Sequence, residues 1–124
     1  IPSFMRHVAS YGIHAFVNVT NDSWFGPTSE PNLHGALTVF RAVEARLPFF
    51  RVTNTGTSFS VDEKGHMSAQ TVVFGPDVIV TELNLPTEPV FTFYVRYGDW
   101  FMGLLFLVFG VVILSIRKNV SLPH

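Results

Sequence analysis

The chain has 124 residues and a mass of 13.9 kDa, enough for one modest domain. Nearly half of it is hydrophobic (48%), with 13 Phe, 3 Tyr and 2 Trp, which excludes an intrinsically disordered segment. Eight basic and nine acidic residues offer no basic field for nucleic acid, and the lack of Cys excludes disulfides, thiolate metal sites and a thiol nucleophile within these residues.

The chain opens on Ile1, with no signal peptide before it. It reads as a piece of something longer, a processed mature protein being the plainer alternative. Residues 2–11 predict the end of a helix, with Phe4, Val8 and Tyr11 at i, i+4 and i+7 and Gly12 as its stop. Residues 14–20 (HAFVNVT) are apolar and β-branched, which predicts a buried strand. Residues 21–31 (NDSWFGPTSEP) are a loop by their Asn, Asp, Gly and Pro content.

A second helix starts near Ser29. Leu33, Ala36, Leu37, Phe40, Val43 and Leu47 recur at helical spacing, and Pro48 ends the pattern. Residues 49–53 form a short strand, and residues 54–56 (NTG) a turn. Residues 57–62 alternate as a strand, and Gly65 serves a hairpin turn after Glu63 and Lys64. Residues 66–74 and 78–85 are expected as two further strands, divided by Gly75-Pro76. Pro86 and Pro89 open a looser stretch leading to residues 94–100.

From Phe101 to Ile116 the chain carries no charge. With Trp100 the apolar run meets the lower end of the ~17–25 residues that cross a bilayer. Tyr97 and Trp100 stand where an interfacial aromatic belt would lie, and Arg117 and Lys118 can snorkel to the opposite interface. The alternative, a core helix of a soluble protein, usually carries a polar residue every turn or so, and here only Ser115 interrupts. The basic pair favours the cytoplasm, placing residues 1–99 outside it. Three parts follow: a domain over residues 1–99, a transmembrane helix over 100–118 and a short cytoplasmic tail over 119–124. The order of elements suggests an α/β layered sandwich cut through its sheet.

Candidate site residues gather after the first strand, where α/β folds place ligands. Trp24 and Phe25 must either pack down or face something apolar. Asp22 can serve as an acid or base, although a turn or cap role is the commoner one for such a residue. On the next helix Glu44 falls on the apolar stripe and needs a partner, for which Arg41 is the nearest cation. His34, Arg41 and Glu44 share one edge of that stripe. Arg51, Asn54 and Gly56 sit at a strand end and tight turn, where turn chemistry and site support are both open. The five His share no metal-ligand spacing, and no cofactor motif occurs.

Three strings carry a resemblance: NVTNDSWFGPTSEPNLH (residues 18–34), FRAVEARLPFFRVTNTGTS (residues 40–58) and YVRYGDW (residues 94–100). Together they resemble the C-terminal part of the apolipoprotein N-acyltransferases, bacterial inner-membrane enzymes of the nitrilase (carbon–nitrogen hydrolase) superfamily. The resemblance implies the C-terminal part of a nitrilase-like αββα sandwich on the periplasmic face of a multi-pass, monomeric enzyme, followed by a last membrane helix. It implies a Glu–Lys–Cys triad without a cofactor. In that scheme Cys takes an acyl chain from a phospholipid as a thioester, Glu is the general base, and Lys stabilises the oxyanion. The acceptor is the α-amine of a diacylglyceryl-cysteine in a lipoprotein. Ile1-Pro2 matches a step a few residues after the nucleophile, so the triad belongs to earlier sequence and this chain alone is expected to be inactive. By the resemblance, Asn21, Asp22, Trp24 and Phe25 match a loop beside the active site, and Arg41, Glu44, Asn54 and Gly56 match its supporting helix and turn. The remaining alternative is a membrane-tethered, non-catalytic nitrilase-like binding module.

Overall fold

A computed structural model describes residues 2–120. Residue 1 and residues 121–124 lie outside the described residues, and with them Ile1 of the expected Ile-Pro step and most of the expected tail. Eight residues, Pro2–Ala9, form helix α1, with Pro2 in the first turn, where a missing N–H costs nothing. Strand β1 (Phe16–Thr20) leads to a short 3₁₀ turn (Ser23–Phe25) and then helix α2 (Glu30–Ala45). Strands β2 (Phe49–Thr53) and β3 (Phe59–Val61) follow, then a short helix α3 (Phe93–Tyr97) and the long helix α4 (Trp100–Val120).

The sheet runs β1-β2-β3, with β1 and β2 parallel and β2 and β3 antiparallel. Helices α1 and α2 cover one face. Ala9, Phe16, Ala42, Ala45, Leu47, Phe49, Phe59, Val61 and Val95 form one core there. The fold is α/β, one helical layer on one sheet, as one side of an αββα sandwich requires.

Three expectations change on contact with this packing. First, β1 is not buried on both faces. Phe16 is buried, but Val17 and Val19 point to the opposite, open face. Second, α2 does not bury its large apolar stripe. Leu33, Leu37 and Phe40 are exposed, whereas Gly35, Thr38, Ala42 and Ala45 face inward. Small residues let the helix lie close: a Cβ on Gly35 would meet the Phe59 ring at 3.3 Å. The helix also stops before Pro48, because Arg46 turns left-handed (φ 55°) and its N–H caps the last carbonyls.

Third, residues 66–74 and 78–85 are not strands. Val61 and Met67 make a single bridge. Beyond it, Ser60 N–H donates to Ser68 Oγ (3.0 Å) and Ser58 N–H to Thr71 Oγ1 (2.9 Å). Side-chain hydroxyls stand in for the carbonyls a ladder needs, which ends regular pairing. Val78 and Val80 are almost fully exposed.

The apolar run forms helix as expected, and the helix continues over residues 119 and 120. From Trp100 to Lys118 it has a mean hydropathy of 2.2 and no buried residue, and it is long and apolar enough to cross a membrane. Its 19 residues span roughly 28 Å, close to the ~30 Å of a hydrocarbon core. Thr92 caps α3 through Val95 N–H (3.1 Å) and donates to Glu44 O (2.7 Å), tying the approach to α4 onto the end of α2.

Candidate functional site

Parallel pairing sets the site. Register puts Thr20 opposite Thr53, so β1 and β2 end at one level and the next residues, Asn21 and Asn54, meet. Asn54 Nδ2 donates to Asn21 Oδ1 (2.8 Å), and Asn54 Oδ1 accepts from Asp22 N–H (3.1 Å). Asn21 Oδ1 also accepts from Ser23 N–H (3.0 Å). The loop is therefore fixed at its root by two side-chain amides.

So held, Asp22 turns inward and is completely buried. Arg51, on the helix-covered face of β2 and 2% exposed, donates from Nη2 to Asp22 Oδ2 at 2.6 Å. His34, in the early turns of α2, places Nδ1 3.0 Å from Asp22 Oδ1. A carboxylate only accepts, so this contact is a hydrogen bond in the tautomer that carries the proton on Nδ1. The same nitrogen stands 3.2 Å from Arg51 Nη2. A buried carboxylate is tolerable only with such partners. Gly56 completes the pocket from the next turn, since a Cβ there would run into Asp22 Oδ2. Gly56 is thus demanded by a close approach.

The two aromatics of the loop part company. Trp24 is 80% exposed, although its indole N–H is satisfied by Asn21 O at 2.8 Å. Phe25 lies edge-on to the His34 ring, with centroids 5.7 Å apart. The loop thus presents a large apolar ring outward from a rigid polar root.

Arg41 and Glu44 form the expected pair at 2.6 Å. Burial raises the Glu44 carboxyl above its ordinary range, Arg41 opposes that rise, and Asp99 adds to it. His34 and Arg41 line the same cleft, but His34 takes Asp22 as its partner. Sequence reasoning placed Arg51 at a strand end but missed its pairing with Asp22. The signal, an inward Arg two residues before the strand ends, becomes readable only with the register. At the other end Tyr97 and Trp100 are exposed, Trp100 packs edge-on to Phe93 (5.4 Å), and Arg117 and Lys118 are exposed in the last turns of α4. No cluster of three or more His, Asp or Glu able to hold a metal occurs among the described residues.

A sheet whose parallel strands end in a polar-rooted loop is a common α/β design, and comparison with known proteins identifies this instance. A family profile described as carbon-nitrogen hydrolase matches residues 1–89. The chain belongs to the carbon–nitrogen hydrolase family. Within it, the chain is 42% identical over 123 residues to the apolipoprotein N-acyltransferase of Geobacter metallireducens, covering 99% of this chain and 23% of that protein. It is 42% identical over 116 residues to that of Bdellovibrio bacteriovorus (90% and 20%), and 35% identical over 118 residues to that of Thermotoga maritima (94% and 23%). The chain thus spans about a fifth of the length of these relatives.

Proposed function

We propose that this chain is the C-terminal part of a membrane N-acyltransferase that moves a fatty acyl chain from a phospholipid to the terminal amine of a diacylglyceryl-cysteine in apolipoproteins. A Cys outside these residues carries the acyl group as a thioester, with Glu and Lys partners also outside them, so the 124 residues alone are inactive. Asn21, Asp22, Trp24 and Phe25 form the loop that meets lipid. His34, Arg51, Asn54 and Gly56 hold that loop, and Arg41 with Glu44 braces the helix behind it.

The observation that carries the reading is Trp24: an outward indole on a rigid loop, in a chain that ends in an apolar helix. A small soluble amide substrate would call for neither feature. In this reading α4 crosses the bacterial inner membrane as the last span of a multi-pass, monomeric parent. Tyr97 and Trp100 mark the periplasmic interface, Arg117 and Lys118 the cytoplasmic one, and residues 1–99 are periplasmic.

The test uses the intact native polypeptide in detergent, phospholipid with deuterated acyl chains, and a synthetic diacylglyceryl-cysteine peptide. Mass spectrometry should find a deuterated acyl group on the peptide amine and, without acceptor, a hydroxylamine-sensitive acyl group on a Cys upstream of residue 1. An intact polypeptide that binds lipid but transfers nothing would leave a tethered, non-catalytic module.

A further inference from the structure

Residues 67–74 form no regular strand, yet they run back antiparallel to β3. Thr71 N–H donates to Ser58 O (3.0 Å), and Phe74 N–H donates to Thr55 O (3.1 Å). Phe74 therefore arrives at the end of the sheet where β1 and β2 stop. Three consecutive residues of one turn organise that end. Asn54 roots the Trp24 loop, Thr55 roots Phe74, and Gly56 leaves room for Asp22. The anchors of the two aromatic residues are thus neighbours in the chain.

Phe74 has a φ of 59°, in the left-handed region. A bulky side chain is rare there, and glycine is the residue that takes it without strain. Gly75 stands next in sequence, yet the positive φ falls on Phe74. Asp77 closes the loop: its carboxylate accepts from Val72 N–H (3.0 Å) and Val78 N–H (2.8 Å). All of these contacts lie between residues 21 and 78. The strain does not serve burial, because Phe74 is 52% exposed, and Val72 and Val73 beside it are exposed as well. Strain of this kind collects where the side chain on display binds a ligand. What the two rings offer a ligand is hydrocarbon alone. The indole N–H of Trp24 is already taken by Asn21 O, and the Phe74 ring has no polar atom. Such a pair suits an apolar chain, and each methylene it covers adds to binding.

We propose that Phe74 is a substrate-binding residue, which together with Trp24 holds the acyl chain of the phospholipid and sets its preferred length. The inference rests on the acyltransferase reading and adds to it a residue and a selectivity. The test uses the intact polypeptide in detergent, with dipalmitoyl and dihexanoyl phosphatidylethanolamine as acyl donors. Phe74→Gly removes the ring and accepts the backbone angle. It should keep or raise the melting temperature, yet lose at least fivefold in kcat/KM on the dipalmitoyl lipid and less than twofold on the dihexanoyl lipid. Phe74→Leu, which keeps an apolar side chain, should recover most of the long-chain rate. A second readout needs no turnover. Phosphatidylethanolamine with a diazirine at the end of one acyl chain should label the peptides that hold Trp24 and Phe74, and unlabelled dipalmitoyl lipid should compete saturably.

Equal losses on both lipids with a lowered melting temperature would make Phe74 a packing residue, against this chain or the chain before residue 1, and would overturn the inference. Labelling at Phe74 that rises with lipid content and is never competed would also overturn it, leaving a ring that merely dips into the bilayer. Acyl transfer without labelling at Phe74 would sink the inference and keep the acyltransferase reading. Competed labelling at both rings without transfer would do the reverse, leaving the two residues as the lipid grip of a non-catalytic module.

Discussion

Asp22 and helix α4 solve opposite problems of solvation. Asp22 is a charge removed from water, and the fold answers with carboxylate partners from two elements, Arg51 from β2 and His34 from α2, while the Asn54 side-chain oxygen accepts from the Asp22 backbone N–H. Helix α4 is hydrocarbon left uncovered by protein along its length. Burial of the first is local and specific, so one atom can spoil it. Exposure of the second is generic, so only a change in its polarity matters. In the functional account, the first holds a loop rigid and the second sets that loop at a bilayer.

The largest expected effect is at the buried pair. Asp22→Ala or Arg51→Ala in the intact polypeptide should each cost about 3–5 kcal/mol in denaturant unfolding, because each leaves an uncompensated buried charge. The double variant should cost clearly less than the sum. Additive losses would mean that the pair is not one unit.

Next is α4. Phe109→Arg places a charge near the middle of the apolar run, at about 2.5–3.5 kcal/mol on an insertion scale. Carbonate extraction of membranes should show α4 released when expressed as a single span. Unchanged membrane retention would remove it as a spanning helix.

Two glycines sharpen the comparison further. Gly56→Ala drives a methyl into the Asp22 carboxylate and should destabilise by about 1–3 kcal/mol, as overpacking does. Gly110→Ala meets nothing within 4 Å and should be neutral or slightly stabilising through helix propensity. Equal effects at both would dissolve the contrast.

The smallest effect concerns Asp62. Burial works to raise its carboxyl, but the backbone N–H and ring of His66 and the backbone N–H of Lys64 outweigh it and hold the group at about 2. A folded value below the ordinary 3.8 stabilises above that pH, and the benefit is lost as pH falls towards about 2. Asp62→Asn should lower stability slightly near neutrality, where the ionised carboxylate contributes, flatten the acid limb in that window, and converge with the parent as pH falls towards about 2.

Much of this was legible in the sequence. Elements β1, α2, β2 and α4 follow from apolar runs and helical spacing, and the Arg41–Glu44 pair from a three-residue offset on one helix. The Asp22–Arg51 pair depends on two strands ending level, which no spacing within one element encodes. The missed irregularity of residues 66–85 has a similar cause. Their β-branched residues read as strand, yet Ser68 and Thr71 offer hydroxyls where a ladder needs carbonyls. On α2 the size of Leu33, Leu37 and Phe40 suggested the buried face, while close approach to the sheet selects the small residues.

The most direct test of the account is Trp24→Ala in the intact polypeptide, with acyl transfer from phospholipid vesicles and thermal stability measured side by side. Trp24 is exposed and packs against little, so the account predicts an unchanged melting temperature with acyl transfer reduced at least tenfold. Unchanged transfer would contradict a lipid-facing loop, and a lowered melting temperature with proportionate loss of activity would make Trp24 a structural residue.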